Sequence, residues 1–191
     1  MRDKILYLIL FFIFSFFISF SYAAKSIICN GVYALCAYAK CIPIPGEKGK
    51  ALCACEVKSG YSIGSKNCQA DASINSDGYK TLASRYYPIK LYVRCHNNRA
   101  WANCYNSQCI INPQKNTQAF CTCSTVKNKG DYMYATDSCD VSGCDASMIS
   151  SYVVKDAVKD YESLKNVVNY NKLPTYIPKP CFPTAMQNGR I

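Results

Sequence analysis

The sequence predicts a small, disulfide-rich, mainly β protein: two tandem six-cysteine β-hairpin units followed by one C-terminal α-helix. Three observations lead there. The 191 residues carry 14 cysteines, close to the density of a disulfide scaffold. Cys36, Cys41, Cys53 and Cys55 recur 68 residues later as Cys104, Cys109, Cys121 and Cys123. Further on, Val154, Ala157, Tyr161, Leu164 and Val168 keep the three-four spacing of one face of an amphipathic helix.

The N-terminus comes first. Met1-Arg2-Asp3-Lys4 precedes an apolar run over 5–20 broken only by Ser15 and Ser19, and Ser21 and Ala23 are small residues at the −3 and −1 positions of a cleavage site. This is the organisation of a secretory signal peptide over 1–23, with membrane contact only through that segment if it stays uncleaved. Ile28 is too large for a lipobox before Cys29. Export leads to an oxidising space, where the even cysteine count makes seven disulfides the expected state. The formal charge is +10; without residues 1–23, 20 basic and 11 acidic side chains leave +9, spread with no polybasic run. Such a surface favours anionic surroundings, lipid head groups or acidic polysaccharide, or serves solubility alone.

The first unit, within 24–70, holds Cys29, Cys36, Cys41, Cys53, Cys55 and Cys68, with gaps of 6, 4, 11, 1 and 12 residues. The second, within 71–140, holds Cys95, Cys104, Cys109, Cys121, Cys123 and Cys139, with gaps of 8, 4, 11, 1 and 15. The three inner gaps are identical. Between 34–55 and 102–123, 8 of 22 positions match, and Ala34, Ile42, Pro45 and Ala51 are the four that are not cysteine. That pattern, A-x-C-x4-C-I-x2-P-x5-A-x-C-x-C, reads as duplication. Cys-x-Cys on a strand places both sulfurs on one face, so 51–55 and 119–123 read as short strands with a cysteine-lined side. Pro43-Ile44-Pro45-Gly46 and Asn112-Pro113 before them are turn signals, and Gly60-Tyr61 and Gly130-Asp131 mark later ones.

Six cysteines allow 15 connectivities, which spacing does not separate. The order, with Cys-x-Cys as fourth and fifth and Gly60-Tyr61 before the sixth, resembles an EGF-like module. That resemblance implies Cys29–Cys41, Cys36–Cys53 and Cys55–Cys68, then Cys95–Cys109, Cys104–Cys121 and Cys123–Cys139. The residues before Cys29, Ala24-Lys25-Ser26-Ile27-Ile28, lack the acidic calcium motif of such modules. Tyr33-Ala34-Leu35-Cys36, Gly60-Tyr61-Ser62, Arg85-Tyr86-Tyr87-Pro88-Ile89-Lys90 and Thr136-Asp137-Ser138 are similar to segments of uncharacterised, exported, cysteine-rich proteins of Gram-negative bacteria. This second resemblance implies an extracytoplasmic location and carries no catalytic residue.

Between the units, 89–94 alternates apolar and polar residues and reads as a half-buried strand entering Cys95. Arg85, Lys90 and Arg94 interleave with Tyr86, Tyr87 and Tyr92. Such interleaving suits single-stranded nucleic acid or a glycan, but in an exported chain an ordinary strand face is the favoured reading and nucleic acid is not an expected partner. The third region, 141–191, is expected to be a disulfide-tethered helix over about 146–170 with a Pro-rich tail. Asp145 is the expected N-cap, and Leu173-Pro174 ends the helix. The two cysteines outside the repeats, Cys144 and Cys181, bracket it, and their pairing closes a loop.

Catalytic chemistry is sparse. His96 is the one histidine and follows Cys95, itself expected in a disulfide. No Cys-x-x-Cys occurs, so neither a thioredoxin-type site nor paired zinc ligands are expected. The expectation is no enzyme, no cofactor and no metal. The leading function is a non-catalytic exported binding protein whose partner is an unknown protein or an anionic glycan or envelope surface. The alternative is a secreted inhibitor of a protease or lysozyme, presenting the rigid loops 43–50 or 112–118.

Overall fold

Side chains alternate across a strand, so Ala51-Leu52-Cys53-Ala54-Cys55 turns its odd positions to one face and its even positions to the other. The computed structural model describes residues 26–68, 73–86, 91–96, 99–127, 130–145, 148–154, 156–157, 160 and 179–181, and Ala51, Cys53 and Cys55 are buried in it. Among the described residues lie strands β1 (Ile27–Leu35), β2 (Cys41–Pro43), β3 (Lys50–Gly64), β4 (Ser73–Ile74), β5 (Lys80–Arg85) and β6 (Leu91–Cys95). They continue with β7 (Trp101–Asn103), β8 (Gln108–Ile111), β9 (Gln118–Val126), β10 (Tyr132–Thr136), β11 (Ser150–Val153) and β12 (Lys179–Pro180). The fold is mainly β and held by seven disulfides, with no free cysteine among the described residues. No described helix is long and apolar enough to cross a membrane.

Two hairpins form the centre. β2 pairs with β3, placing Cys41 opposite Cys53, and β8 pairs with β9, placing Cys109 opposite Cys121. The hairpins then join through β3 and β9, which run antiparallel with Cys53 opposite Cys121. Because 121 is 53 plus 68, this register is symmetric: Ala51 faces Cys123 and Cys55 faces Ala119. A local two-fold axis therefore passes between Cys53 and Cys121. The flanking strands obey it, with Ala34 opposite Val57 in β1–β3 and Ala102 opposite Thr125 in β7–β9.

The outer strands cross between the halves. β5 runs parallel to β1, with Ser84 beside Ala34, and also antiparallel to β8, with Leu82 beside Cys109. β11 repeats this: Ser150 lies beside Ala102 of β7, and Ile149 bridges Lys40 at the start of β2. The Ser84 N–H donates to Ser107 O at 2.8 Å, and the Ser150 N–H donates to Ala39 O at 2.8 Å. Their hydroxyls repeat the correspondence. Ser84 Oγ donates to Cys104 O and accepts from the Ser107 N–H at 3.1 Å; Ser150 Oγ donates to Cys36 O and accepts from the Ala39 N–H at 2.7 Å. Two circuits of paired strands result, β3–β1–β5–β8–β9 and β9–β7–β11–β2–β3, sharing the β3–β9 seam. Strand pairing thus crosses the boundary near residue 70 that the sequence suggests.

The disulfide pairing corrects the EGF-like expectation. The bonds are Cys29–Cys68, Cys36–Cys55 and Cys41–Cys53, then Cys104–Cys123, Cys109–Cys121, Cys95–Cys144 and Cys139–Cys181. None of the expected Cys29–Cys41, Cys36–Cys53, Cys55–Cys68, Cys95–Cys109, Cys104–Cys121, Cys123–Cys139 and Cys144–Cys181 bonds forms. The reason is the hairpin register, which brings Cys41 and Cys53 within 4.1 Å and Cys109 and Cys121 within 4.0 Å, Cα to Cα. Those separations belong to directly opposed cross-strand neighbours. The next cysteine outward on each side then closes a nested second bond. Cys144, rather than Cys139, plays for Cys95 the part that Cys68 plays for Cys29, which releases Cys139 to hold the tail at Cys181.

The four inner disulfides lie together in the buried core, with Cys36 Sγ 3.3 Å from Cys121 Sγ. Ala34, Ala51, Ala102 and Ala119, all fully buried, pack around them. A close-packed interior leaves no room for larger side chains here, which accounts for alanine at both pairs of matched positions. A second cluster joins Val93, Trp101, Tyr132, Tyr134 and Ile149 beside Cys95 and Cys181, with the Trp101 and Tyr132 rings stacked at 5.7 Å. The expected strand before Cys95 is present as β6, which pairs with β10.

The expected helix start is corrected. Asp145 follows a 3-10 turn, Val141–Cys144, whose N-cap is Asp140, and 150–153 is strand β11. Hydrogen bonding to β7 and to Ala39 outweighs the helical pattern at that point. Val154, Asp156, Ala157 and Asp160 are helical; Tyr161, Leu164, Val168 and the expected signal peptide over 1–23 lie outside the described residues. If the crossed arms hold the halves together, Ser150→Ala leaves the buried Cys36 carbonyl without its donor and costs about 1–3 kcal/mol in urea unfolding under non-reducing conditions, whereas Ser84→Ala costs less, because the Cys104 carbonyl keeps the Ser107 N–H at 3.0 Å. Ala51→Val overfills the sulfur core and costs a similar ~1–3 kcal/mol.

Candidate functional site

The one histidine sits on the surface. His96 Nδ1 lies 2.9 Å from Asp131 Oδ1, and Arg94 Nε donates to Asp131 Oδ2 at 2.9 Å, with its Nη2 also in contact. Arg94 and, after it, His96 hold the Asp131 carboxyl below its ordinary range. Cys95 between them is bonded to Cys144, so the neighbouring sulfur is no thiolate. The interleaved basic and aromatic residues are likewise used in the fold. Arg85 is buried and donates to Ser62 Oγ at 3.0 Å, Lys66 O at 2.9 Å and Ile27 O at 2.7 Å. A Cβ at Gly64 would come 2.9 Å from the Arg85 guanidinium carbon, so glycine is required there. Tyr86 is buried as well, which removes two members of the pattern from any ligand-facing strip. Lys90 and Tyr87 lie outside the described residues.

Tyr86, Tyr105 and Tyr152 form an aromatic cluster on the far side of the sulfur core, with ring centroids 5.0 to 5.3 Å apart. Asp160, itself buried, accepts from Tyr152 Oη at 2.8 Å and from Ser26 Oγ. Burial raises the pKa of all three phenols, and it pushes Tyr134 up to about 12. The adjoining hollow, lined by Tyr86, Met133, Ser151 and Tyr152, encloses about 240 Å³ including open solvent. Apart from open solvent it has room for about one water molecule, too little for a small-molecule site. The sulfurs of Cys36, Cys55 and Cys104 lie within 4.8 Å of one another, but all are disulfide sulfurs without a charge to offer a metal.

The inhibitor loops expected at 43–50 and 112–118 are exposed hairpin turns. Each is closed by internal bonds: Glu47 N–H to Ile44 O and Lys50 N–H to Glu47 O at 3.2 Å, and Lys115 N–H to Asn112 O at 3.1 Å and Gln118 N–H to Lys115 O at 2.9 Å. Gly46 and Gly49 adopt φ of +80° and +81°, which their turn demands.

The face that sequence reasoning missed is the outward side of β2–β3–β9–β8. Ile42 lies opposite Leu52, and Leu52 opposite Thr122; in the next row Ala54 lies opposite Phe120, and Phe120 opposite Ile110. Ile42 is 64% exposed, Ile110 39% and Phe120 37%. Ile42 and Ile110, like Leu52 and Phe120, are related by the two-fold. The signal was present: these apolar residues sit beside the cysteines, so both faces are apolar at Ile42, Leu52, Ile110 and Phe120, although polar residues flank them. Solvent-facing sheet positions are ordinarily polar, and a contiguous exposed apolar patch marks an interaction surface. Lys50 and Glu56 lie outward at opposite ends of the same run on β3.

Acid and alkaline titrations test this chemistry. Asp131 stabilises the fold above its ordinary pKa of 3.8 and loses that contribution as pH falls through its lower folded value. Asp131→Asn is therefore expected to lower the melting temperature at pH 7 and to lose that effect in acid once the folded-state carboxyl is protonated. The buried phenols work in the opposite sense. Their protonated form stabilises the fold up to their ordinary pKa of 10.0 and less above it, so absorbance at tyrosinate wavelengths should show a late step that coincides with unfolding. Comparison with protein-family models, curated proteins and solved structures finds no match.

Proposed function

We propose that this chain is an exported, non-catalytic binding protein built from a duplicated disulfide unit and that its binding surface is the outward face of the central sheet. The observation that carries the reading is the exposed set Ile42, Ile110 and Phe120, with half-buried Leu52 between them, on strands whose opposite side is welded by four disulfides. Rigid backing lowers the ordering cost of recognition. Seven disulfides are the chemistry of an oxidising compartment, and the N-terminal segment 1–23 supplies a route to it. The resemblance to exported proteins of Gram-negative bacteria fits the periplasm or the exterior, and a charge of +9 favours anionic envelope material or glycan there. The two-fold register at Cys53 and Cys121 supports duplication, because equivalent strands pair as they would in a symmetric dimer.

A second reading, inhibition of a protease or lysozyme, draws on the two exposed, internally bonded turns at 44–50 and 112–118. The two readings separate by variant. Residues 24–191, exported in oxidised form and immobilised, are expected to retain an envelope or extracellular component that Ile42→Ser and Phe120→Ser release without changing near-ultraviolet circular dichroism. An inhibitor instead loses activity when residues 46–48 or 114–116 are replaced. Turnover of peptides or glycans by the purified chain overturns the non-catalytic reading.

A further inference from the structure

Resting on the assignment of the outward face as the binding surface, we infer that in the unliganded protein this face is covered by a second copy of the chain, stacked face to face, which an envelope ligand would displace. The face has four residue rows: Ile44–Lys50–Ser124, Ile42–Leu52–Thr122, Ala54–Phe120–Ile110, and Glu56–Gln118. Its centre is the two-fold axis at Cys53 and Cys121. A second copy turned over about an axis in the plane of the sheet, perpendicular to the strands, lays β3 antiparallel on β3 and β9 on β9. Position i of β3 then meets position 106 − i of the other copy.

That operation sets large residues against small ones. Leu52 falls on Ala54 of the second copy and Phe120 on Thr122, so the side chains interdigitate as facing layers of a sheet sandwich do. Ile42 falls on the aliphatic stem of Lys40, which carries its ammonium to the rim. It also sets Lys50 on Glu56 of the second copy, twice per dimer, so that each Glu56, which already holds Lys58 of its own chain at 2.5 Å, gains a second cation. The other in-plane axis, along the strands, lays Lys50 on Ser124 and Glu56 on Gln118 and forms no such pair. Charge thus selects the first arrangement. Four strands about 4.8 Å apart and four rows about 6.7 Å apart make a footprint of roughly 500 Å². This is smaller than the ~800 Å² per partner of a standard stable interface, so the dimer is a weak one.

Sedimentation velocity of oxidised 24–191 from about 10 μM to about 1 mM reads this directly, over the range a small interface spans. The expected result is a monomer–dimer equilibrium within that range. Phe120→Glu abolishes it, Lys50→Glu weakens it by about 10-fold because two exposed pairs become repulsive, and Lys50→Glu with Glu56→Lys restores it. Circular dichroism and absence of free thiol certify the fold of each variant. A monomer at ~1 mM, or a dimer indifferent to Phe120→Glu or not restored by the charge exchange, overturns the inference. A parallel flotation with phosphatidylglycerol vesicles separates the two failures. A monomer that floats through Phe120 leaves the binding face intact and replaces the second copy with a membrane. A monomer that neither floats nor captures envelope material through Ile42 and Phe120 removes the binding face itself.

Discussion

The rest of the molecule depends on the packing of four disulfides across one two-fold axis. Cys36–Cys55 and Cys41–Cys53 staple one hairpin, Cys104–Cys123 and Cys109–Cys121 the other, and Cys36 Sγ touches Cys121 Sγ at 3.3 Å. Each nested outer bond spans 19 residues, a loop for which chain entropy alone suggests about 3 kcal/mol, though nested bonds do not add. More consequential is what the bonds displace. Sulfur and alanine fill the centre where larger domains place leucine and phenylalanine, so the strands approach closely and apolar side chains remain for the outside.

The crossed strands follow from that thin core. A single stapled hairpin buries too little to stand alone. Here β5 and β11 each leave their own half and complete the other, and Ser84 and Ser150 fasten the exchange by satisfying the carbonyls of Cys104 and Cys36. The two halves thereby share hydrogen bonds, sulfur contacts and the Tyr86–Tyr152 ring contact on one axis. The same axis emerges on the outside at Ile42, Leu52, Ile110 and Phe120, which links the proposed duplication to the proposed recognition surface.

Much of this was legible in the chain. The cysteine echo at 68 residues and the alternation in 51–55 and 119–123 give the two hairpins, their facing and their strands. The pairing was legible too, in a feature the EGF-like order obscured: a hairpin pairs residues equidistant from its turn. The turn between Ile44 and Lys50 is centred on 47, midway between Cys41 and Cys53, and the turn between Asn112 and Gln118 is centred on 115, midway between Cys109 and Cys121. The arms were harder. Ser84-Arg85-Tyr86 and Ser150-Ser151-Tyr152 correspond in space but stand 66 apart, off the fixed offset, because the loops between have diverged. Ser150–Val153 also competes with a helical pattern that begins right after it, and long-range pairing decided the outcome. The partner of Cys139 was not readable, since nothing local distinguishes it from Cys144.

The nested, two-fold-related pairing can be read from a disulfide map of the purified, oxidised protein under non-reducing conditions. Cleavage within Cys53-Ala54-Cys55 and Cys121-Thr122-Cys123, or fragmentation that resolves them, is needed. The account predicts Cys36–Cys55, Cys41–Cys53, Cys104–Cys123 and Cys109–Cys121, with Cys95 on Cys144 and Cys139 on Cys181. Cys36 bonded to Cys53 and Cys104 to Cys121, or free thiol in the freshly purified, unreduced chain, would contradict it.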